Sequence, residues 1–181
     1  MDALRYVRTY VKDLKVGAIT QSTKYVVRAV TAAVGEAYRF IVEYGAGDGV
    51  LCQSLLDRLP HDGRVTAVEQ NDHMFDELCR IRDSRFSAIK GDVLAMSRDP
   101  RSFGLPRIDA VVTSIPLTFY SPADRESLIA NTYALLAAGG SMVVYQYTPL
   151  VWPLLKKHFR RVTMGFEPRN ILPYFIMRAE K

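Results

Sequence analysis

Three carboxylates and three glycines carry the first chemistry in this sequence. The run VEYGAGDG sets Glu43 two residues ahead of Gly45, Ala46 and Gly47, with Gly49 close behind. Glycines there let a chain turn sharply and approach a ligand with no Cβ in the way. A dinucleotide site would want G-x-G-x-x-G, yet position 50 is Val50 and the last glycine comes one residue early. A carboxylate next to such a loop repels pyrophosphate and attracts a cation. Glu69, followed by Gln70, ends the next apolar run, where its carboxylate can accept both hydroxyls of a ribose. Asp92 and Val93 close the run after that, with Asp92 placed to accept from an exocyclic adenine amine. Any one of these acids alone reads as a solvated strand end. In this order they describe a site for a nucleoside that carries positive charge, and S-adenosylmethionine, with its sulfonium and ammonium groups, has that chemistry.

A second candidate lies in VVTSIPLTFY. Two valines give way to the hydroxyls of Thr113 and Ser114, and then to Ile115, Pro116 and Leu117, which offer little hydrogen bonding. The stretch predicts an apolar wall and backbone clamp, with Ser114, Pro116 and Tyr120 nearest the reacting group. Tyr120, Tyr145 and Tyr147 are candidates to line a pocket for an amine that becomes a quaternary ammonium. Each of them, taken singly, is as readily a packing residue.

The elements that must hold these residues follow from periodicity. RFIVEYGAGDGV reads as a strand and loop, LCQSLLDRL as a helix, GRVTAVEQ as a strand, and NDHMFDELCRI as a helix with Met74, Phe75, Leu78 and Ile81 on its apolar side. RFSAIKGD, IDAVVTSI and SMVVYQYT are further strands, and SPADRESLIANTYALLAA is a helix opened by a Ser-Pro start signal. Strands alternating with helices in this way make right-handed βαβ units and a parallel sheet covered on both faces. RRVTMGFEP and PYFIMRAEK predict an antiparallel pair that finishes the sheet. The expectation is an α/β, Rossmann-like fold: a seven-stranded, mostly parallel sheet with helices on both faces and an antiparallel C-terminal strand. Residues 1–34 are read as an N-terminal amphipathic helix and cofactor-capping segment, and 35–181 as the main domain.

Composition narrows the setting. The 181 residues suit one domain, and the net charge of +5 points to an anionic partner, nucleic acid or an acidic membrane surface. Cys52 and Cys79 fall in predicted helices and read as small buried residues, which favours a reducing, cytoplasmic setting. His61, His73 and His158 show no ligand spacing, and no metal is expected. Ser127 to Leu155 holds no charged residue, but Gly139-Gly140, Pro149 and Pro153 interrupt it, so it reads as helix, turn, strand and loop and not as a membrane span. In LRYVRTYVKDLK, Leu4, Val7, Val11 and Leu14 form an apolar stripe, with Arg5, Arg8, Lys12 and Lys15 one position on. Such a helix suits an anionic bilayer boundary, or docking on its own domain. The basic run KKHFRR is a second candidate surface or a solvated face.

The constellation of Glu43, the glycine turn, Glu69 and Asp92-Val93 resembles class I methyltransferases. Over almost its whole length the chain is similar to soluble bacterial phospholipid N-methyltransferases, relatives of the rRNA adenine dimethylases. The resemblance rests on the basic start followed by VGAITQST, the glycine motif, SIPLTFYSP, VYQYT and RNILPYFIMR; Ile115 stands where the family usually has glycine, and Leu172 where it has proline. It implies S-adenosylmethionine as cofactor, held by Glu43, Gly45, Ala46, Gly47, Gly49, Glu69, Gln70, Asp92, Val93 and Ser114. It places the loop carrying Ser114 against the methyl group. Enzymes of this class that methylate a base amine resemble Asn/Asp-Pro-Pro-aromatic there, and Ser114 and Leu117 supply neither the acceptor nor the ring. The expectation is an N-methyltransferase for the amine headgroup of phosphatidylethanolamine, peripheral to the inner face of the membrane. The alternatives are an rRNA adenine N-methyltransferase and a non-catalytic S-adenosylmethionine-binding partner protein.

Overall fold

Apolar runs too short for helices become the strands of a single sheet, and the amphipathic runs between them become its two outer layers. The computed structural model describes residues 23–170 and 172–181. Helix α1 (Lys24–Val34) leads into β1 (Phe40–Tyr44), α2 (Val50–Leu56), β2 (Arg64–Glu69), α3 (Asp72–Leu78), β3 (Phe86–Lys90) and α4 (Val93–Met96). There follow β4 (Ile108–Thr113), α5 (Pro122–Leu135), β5 (Leu136–Gln146), α6 (Trp152–His158), β6 (Arg161–Glu167) and β7 (Tyr174–Glu180). The strand order is β3-β2-β1-β4-β5-β7-β6, with β7 antiparallel to both its neighbours. The order reverses between β1 and β4, and the crevice outside their carboxyl ends is where open α/β sheets bind ligands.

Alternation along each central strand feeds two cores. Ile41, Val65, Ala67, Ala110, Val112 and Val143 pack beneath α1 and α2, while Val42, Tyr44, Val68, Val111, Met142 and Val144 pack with residues of α5 and α6. Helix α1 buries Val26, Val27, Val30 and Val34 in the first of these, each contributing about 1.5–3 kcal/mol. Within the segment 1–34, this helix is therefore part of the domain core; the amphipathic pattern from Leu4 to Lys15 lies outside the described residues. Ser121 caps α5 by accepting from Asp124 N at 3.1 Å, with Pro122 in the first turn, as the Ser-Pro signal predicts.

Three sequence expectations change. Pro153, read as a breaker, sits in the first turn of α6, where its missing N–H costs nothing. Gly139-Gly140, read as a turn, lies inside β5, whose register against β4 is irregular between Ile108 and Ala110. Cys79 is exposed at the end of α3, because that helix stops at Leu78, before its predicted last turn. Among the described residues, no helix is long and apolar enough to cross a membrane.

Candidate active site

The glycine turn leaves β1 under two constraints. Gly45 N and Ala46 N both donate to Val68 O, at 2.8 and 3.3 Å, tying the turn to β2. Gly45 has a φ of +68°, and a Cβ there would stand 2.6 Å from Ile115 Cγ1. Only glycine lets the loop after β4 press this closely on the loop after β1. Gly47 is the opposite case: a Cβ would meet nothing within 4 Å, so its backbone faces open space. Its N–H donates to Glu69 Oε2 at 3.0 Å. Gly49 forms the N-terminal cap of α2.

Glu43 differs from expectation, and Glu69 has backbone partners that the sequence does not show. The buried Glu69 carboxylate accepts from Gln70 N and Asn71 N on Oε1, both at 2.9 Å, besides Gly47 N on Oε2. It is thus the brace of the glycine turn, and a ribose would share a carboxylate already turned toward backbone. Glu43 was read as a negative charge presented to the ligand. It is 1 % exposed, lying beneath the turn, where Cys52 Sγ donates to it at 2.8 Å. Burial drives its pKa up to about 8, against the lowering effect of the Cys52 hydrogen bond; the negative charges of Asp48 and Glu69 push the same way as burial. At neutral pH it is a neutral acid, so its part is to support the turn from below.

Asp92 caps α4 by accepting from Leu94 N at 2.9 Å and stays exposed, while Val93 behind it is buried. Tyr120, half-buried, faces the same region: burial, then the charges of Asp92 and Asp124, push its hydroxyl pKa up to about 12. It therefore stays protonated and is no base at neutral pH.

The Ser-Ile-Pro-Leu loop is pinned at nearly every residue. Thr113 Oγ1 donates to Tyr44 O at 3.2 Å and accepts from Ile115 N at 3.1 Å. Gln146 Nε2 donates to Ile115 O. Pro116 O accepts from Phe119 N at 3.0 Å, and Arg125 reaches from α5 to Leu117 O at 3.0 Å and Tyr120 O at 3.1 Å. Leu117 is fully buried, Pro116 exposed, and Ser114 is hydrogen-bonded to the buried Tyr145 hydroxyl, whose pKa burial pushes far up. Tyr145 and Tyr174 meet at a tilt, 5.8 Å between centroids, as do Tyr174 and Tyr147 at 4.8 Å; of the three only Tyr147 is exposed.

The structure thus brings Gly45, Ala46, Gly47, Glu69, Ser114 and Ile115 together at the β1/β4 switch point, with Asp92 and Tyr120 beside them. Arg125 and Gln146 belong to the same assembly and are not singled out by the sequence, and Thr113 and Cys52 gain roles in it beyond those read from sequence. Gln146 alone left a signal, as the one amide in the apolar run VVYQY. A groove of about 550 Å³ lined by Glu36, Arg39, Arg58 and Pro60 lies at the other end of the sheet and shares no residue with this site. Among the described residues, no cluster of His, Cys, Asp or Glu is placed to hold a metal.

A glycine turn braced by the acid of β2, at the switch point of a sheet that ends antiparallel, is the arrangement of a class I methyltransferase. The methyltransferase domain family matches residues 41–140, and the chain belongs to it. The ornithine lipid N-methyltransferase of Singulisphaera acidiphila is 30 % identical over 142 residues, 76 % of this chain and 73 % of the relative. Two solved structures share the fold. The 1,6-didemethyltoxoflavin-N1-methyltransferase of Burkholderia thailandensis superposes with a TM-score of 0.76 at 20 % identity, over 100 % of this chain and 91 % of that one. An N-methyltransferase of Bradyrhizobium japonicum, solved with S-adenosylhomocysteine, gives 0.68 at 15 % identity, over 89 % of each chain. The chain is an S-adenosylmethionine-dependent methyltransferase. The residues present fit that cofactor: open space at Gly47, a Glu69 carboxylate beside it and an exposed Asp92 at the next strand end.

Proposed function

We propose that this enzyme methylates the primary amine of a membrane lipid headgroup. The observation that carries the reading is the loop after β4. Its carbonyls at Ile115, Pro116 and Leu117 are already used within the protein, and its side chains there are apolar. A planar base needs a ring to stack on, and none of Ser114, Ile115, Pro116 and Leu117 provides one. A flexible aliphatic amine needs only alignment and an apolar wall. The name of the Singulisphaera relative, an ornithine lipid N-methyltransferase, supports the same class of acceptor. Phosphatidylethanolamine and an ornithine lipid share the amine that this site would take.

S-adenosylmethionine supplies an electrophilic methyl on a sulfonium. The chain's own part is to hold that donor with Gly45, Ala46, Gly47, Gly49, Glu69, Gln70, Asp92 and Val93, with Glu43 bracing the turn. Ser114, Pro116 and Tyr120 bound the acceptor side. Tyr120 is held protonated and Glu43 is out of reach, so neither acts as the base; the amine enters neutral and most of the acceleration comes from alignment and exclusion of water. Contact with an anionic leaflet, peripheral to the inner face of the membrane, is part of this proposal. Its support is the sequence pattern of Arg5, Arg8, Lys12 and Lys15 beside Leu4, Val7, Val11 and Leu14.

The test is incubation of the enzyme with methyl-labelled S-adenosylmethionine in parallel arms. One arm contains phosphatidylethanolamine vesicles, a second ornithine lipid vesicles, and a third rRNA. Label in the amine of either lipid supports the proposal and names the acceptor. Label in rRNA alone rejects it.

A further inference from the structure

The side chain of Gln146, the last residue of β5, is 5 % exposed and only half satisfied. Its Nε2 donates to Ile115 O, in the loop that walls the site. Its Oε1 is buried and has no hydrogen-bond partner. The amide cannot simply be turned over, because that would set its carbonyl oxygen against the carbonyl of Ile115. An unmet buried acceptor is costly, and such atoms persist where a ligand or water completes them. Other unpaired buried atoms lie elsewhere. Ser141 Oγ is in the middle of β5, in register with Glu180; Arg178 Nε and His158 Nε2 each face a carboxylate, of Glu180 and Glu126. Among the described residues, Gln146 Oε1 is the unpaired buried atom at the carboxyl ends of the strands.

Register explains its position. Thr113 lies opposite Val144, so two residues further on Ile115 runs alongside Gln146. The carboxamide that position 114 lacks is therefore delivered from the neighbouring strand.

We infer that Gln146 Oε1 accepts a hydrogen bond from an N–H of the acceptor amine and so aims its lone pair at the methyl group, a role that rests on the lipid-amine reading above. A carbonyl oxygen only accepts, so it selects N–H over a fully methylated nitrogen. A neutral primary amine has two N–H bonds and a secondary amine one, and a tertiary amine has none. The contact thus favours the first two methylations and lapses at the third.

The test uses the full-length enzyme and vesicles of amine, monomethylamine or dimethylamine phospholipid, with S-adenosylhomocysteine as the probe of cofactor binding. Gln146→Met keeps length but removes the acceptor. It is expected to lower kcat/KM for the primary amine about tenfold or more, while S-adenosylhomocysteine affinity stays within about twofold. The loss should shrink from primary to secondary acceptor and vanish for the tertiary one. An equal loss with every acceptor, or a parallel loss of cofactor affinity, would make Gln146 a support of the loop and overturn the inference. So would unchanged activity in Gln146→Met. If wild type labels none of the lipids, the lipid-amine reading falls and this inference with it; if wild type is active and Gln146→Met is unaffected, only this inference falls.

Discussion

Replacing Glu43 by glutamine isolates the cost of hiding a carboxyl group under the glycine turn. In the folded protein burial holds its pKa at about 8, against an ordinary 4.5. Below pH 4.5 the group is protonated whether the chain is folded or not, and it contributes no pH dependence. Between 4.5 and about 8 the unfolded chain gives up this proton while the native state keeps it, so the native state binds more protons and stability falls as pH rises. Above about 8 the loss is complete. At about 1.4 kcal/mol for each pH unit, the whole effect is on the order of 5 kcal/mol, comparable with the total stability of many domains. Glu43→Gln has nothing to titrate. Its extra N–H group adds a penalty that does not change with pH, and the other titrating groups are common to both proteins. Urea unfolding of both proteins at pH 5, 6, 7 and 8 should show a gap that moves steadily in favour of the variant by several kcal/mol. Stopping at pH 8 stays below the ordinary pKa of 9.0 for the neighbouring Cys52 thiol. Parallel stability profiles would mean that Glu43 is ionised in the folded protein, and the account of the turn would be wrong.

Gly45→Ala should cost about 1–2 kcal/mol from its positive φ alone, and more from the contact with Ile115, read as a lower Tm together with a lower kcat. Glu69→Ala removes the acceptor for three backbone N–H groups; S-adenosylhomocysteine affinity by calorimetry should fall by about 1.5–3 kcal/mol, roughly ten- to a hundredfold. Thr113→Val unpins Ile115 N and frees Tyr44 O, and should lower stability by about 1–3 kcal/mol and kcat with it, measured by denaturant unfolding and initial rates. Replacing Arg5, Arg8, Lys12 and Lys15 with glutamine should weaken sedimentation with anionic vesicles at low salt while leaving S-adenosylhomocysteine affinity near wild type.

The sheet was legible because its determinants are local. Apolar strands such as IVEY and AVVT sit between helical patterns, and right-handed crossovers leave few ways to order them. The glycine turn was legible because residues 45, 47 and 49 need conformations that other residues avoid. What sequence hid were pairings between distant residues. Nothing in VLCQ marks Cys52 as the partner of Glu43, since the contact forms only when α2 folds back over β1. The chemistry of Glu69 suits a ribose ligand, but no short pattern shows that the backbone N–H groups of its own neighbours and of Gly47 also hold it. Helix α6 was masked by Pro149 and Pro153, which stop a helix from within but can also begin one. The fixing of the Ser-Ile-Pro-Leu loop by Arg125 and Gln146 depends on two other elements, α5 and β5, and no short motif records it.

The most direct test of the central claim is where the methyl group goes. With labelled S-adenosylmethionine and separate vesicle and rRNA arms, the account predicts label on the lipid amine, lost when Glu69 is replaced by alanine. Label confined to rRNA, with both lipids untouched by an enzyme that binds S-adenosylhomocysteine, would contradict it.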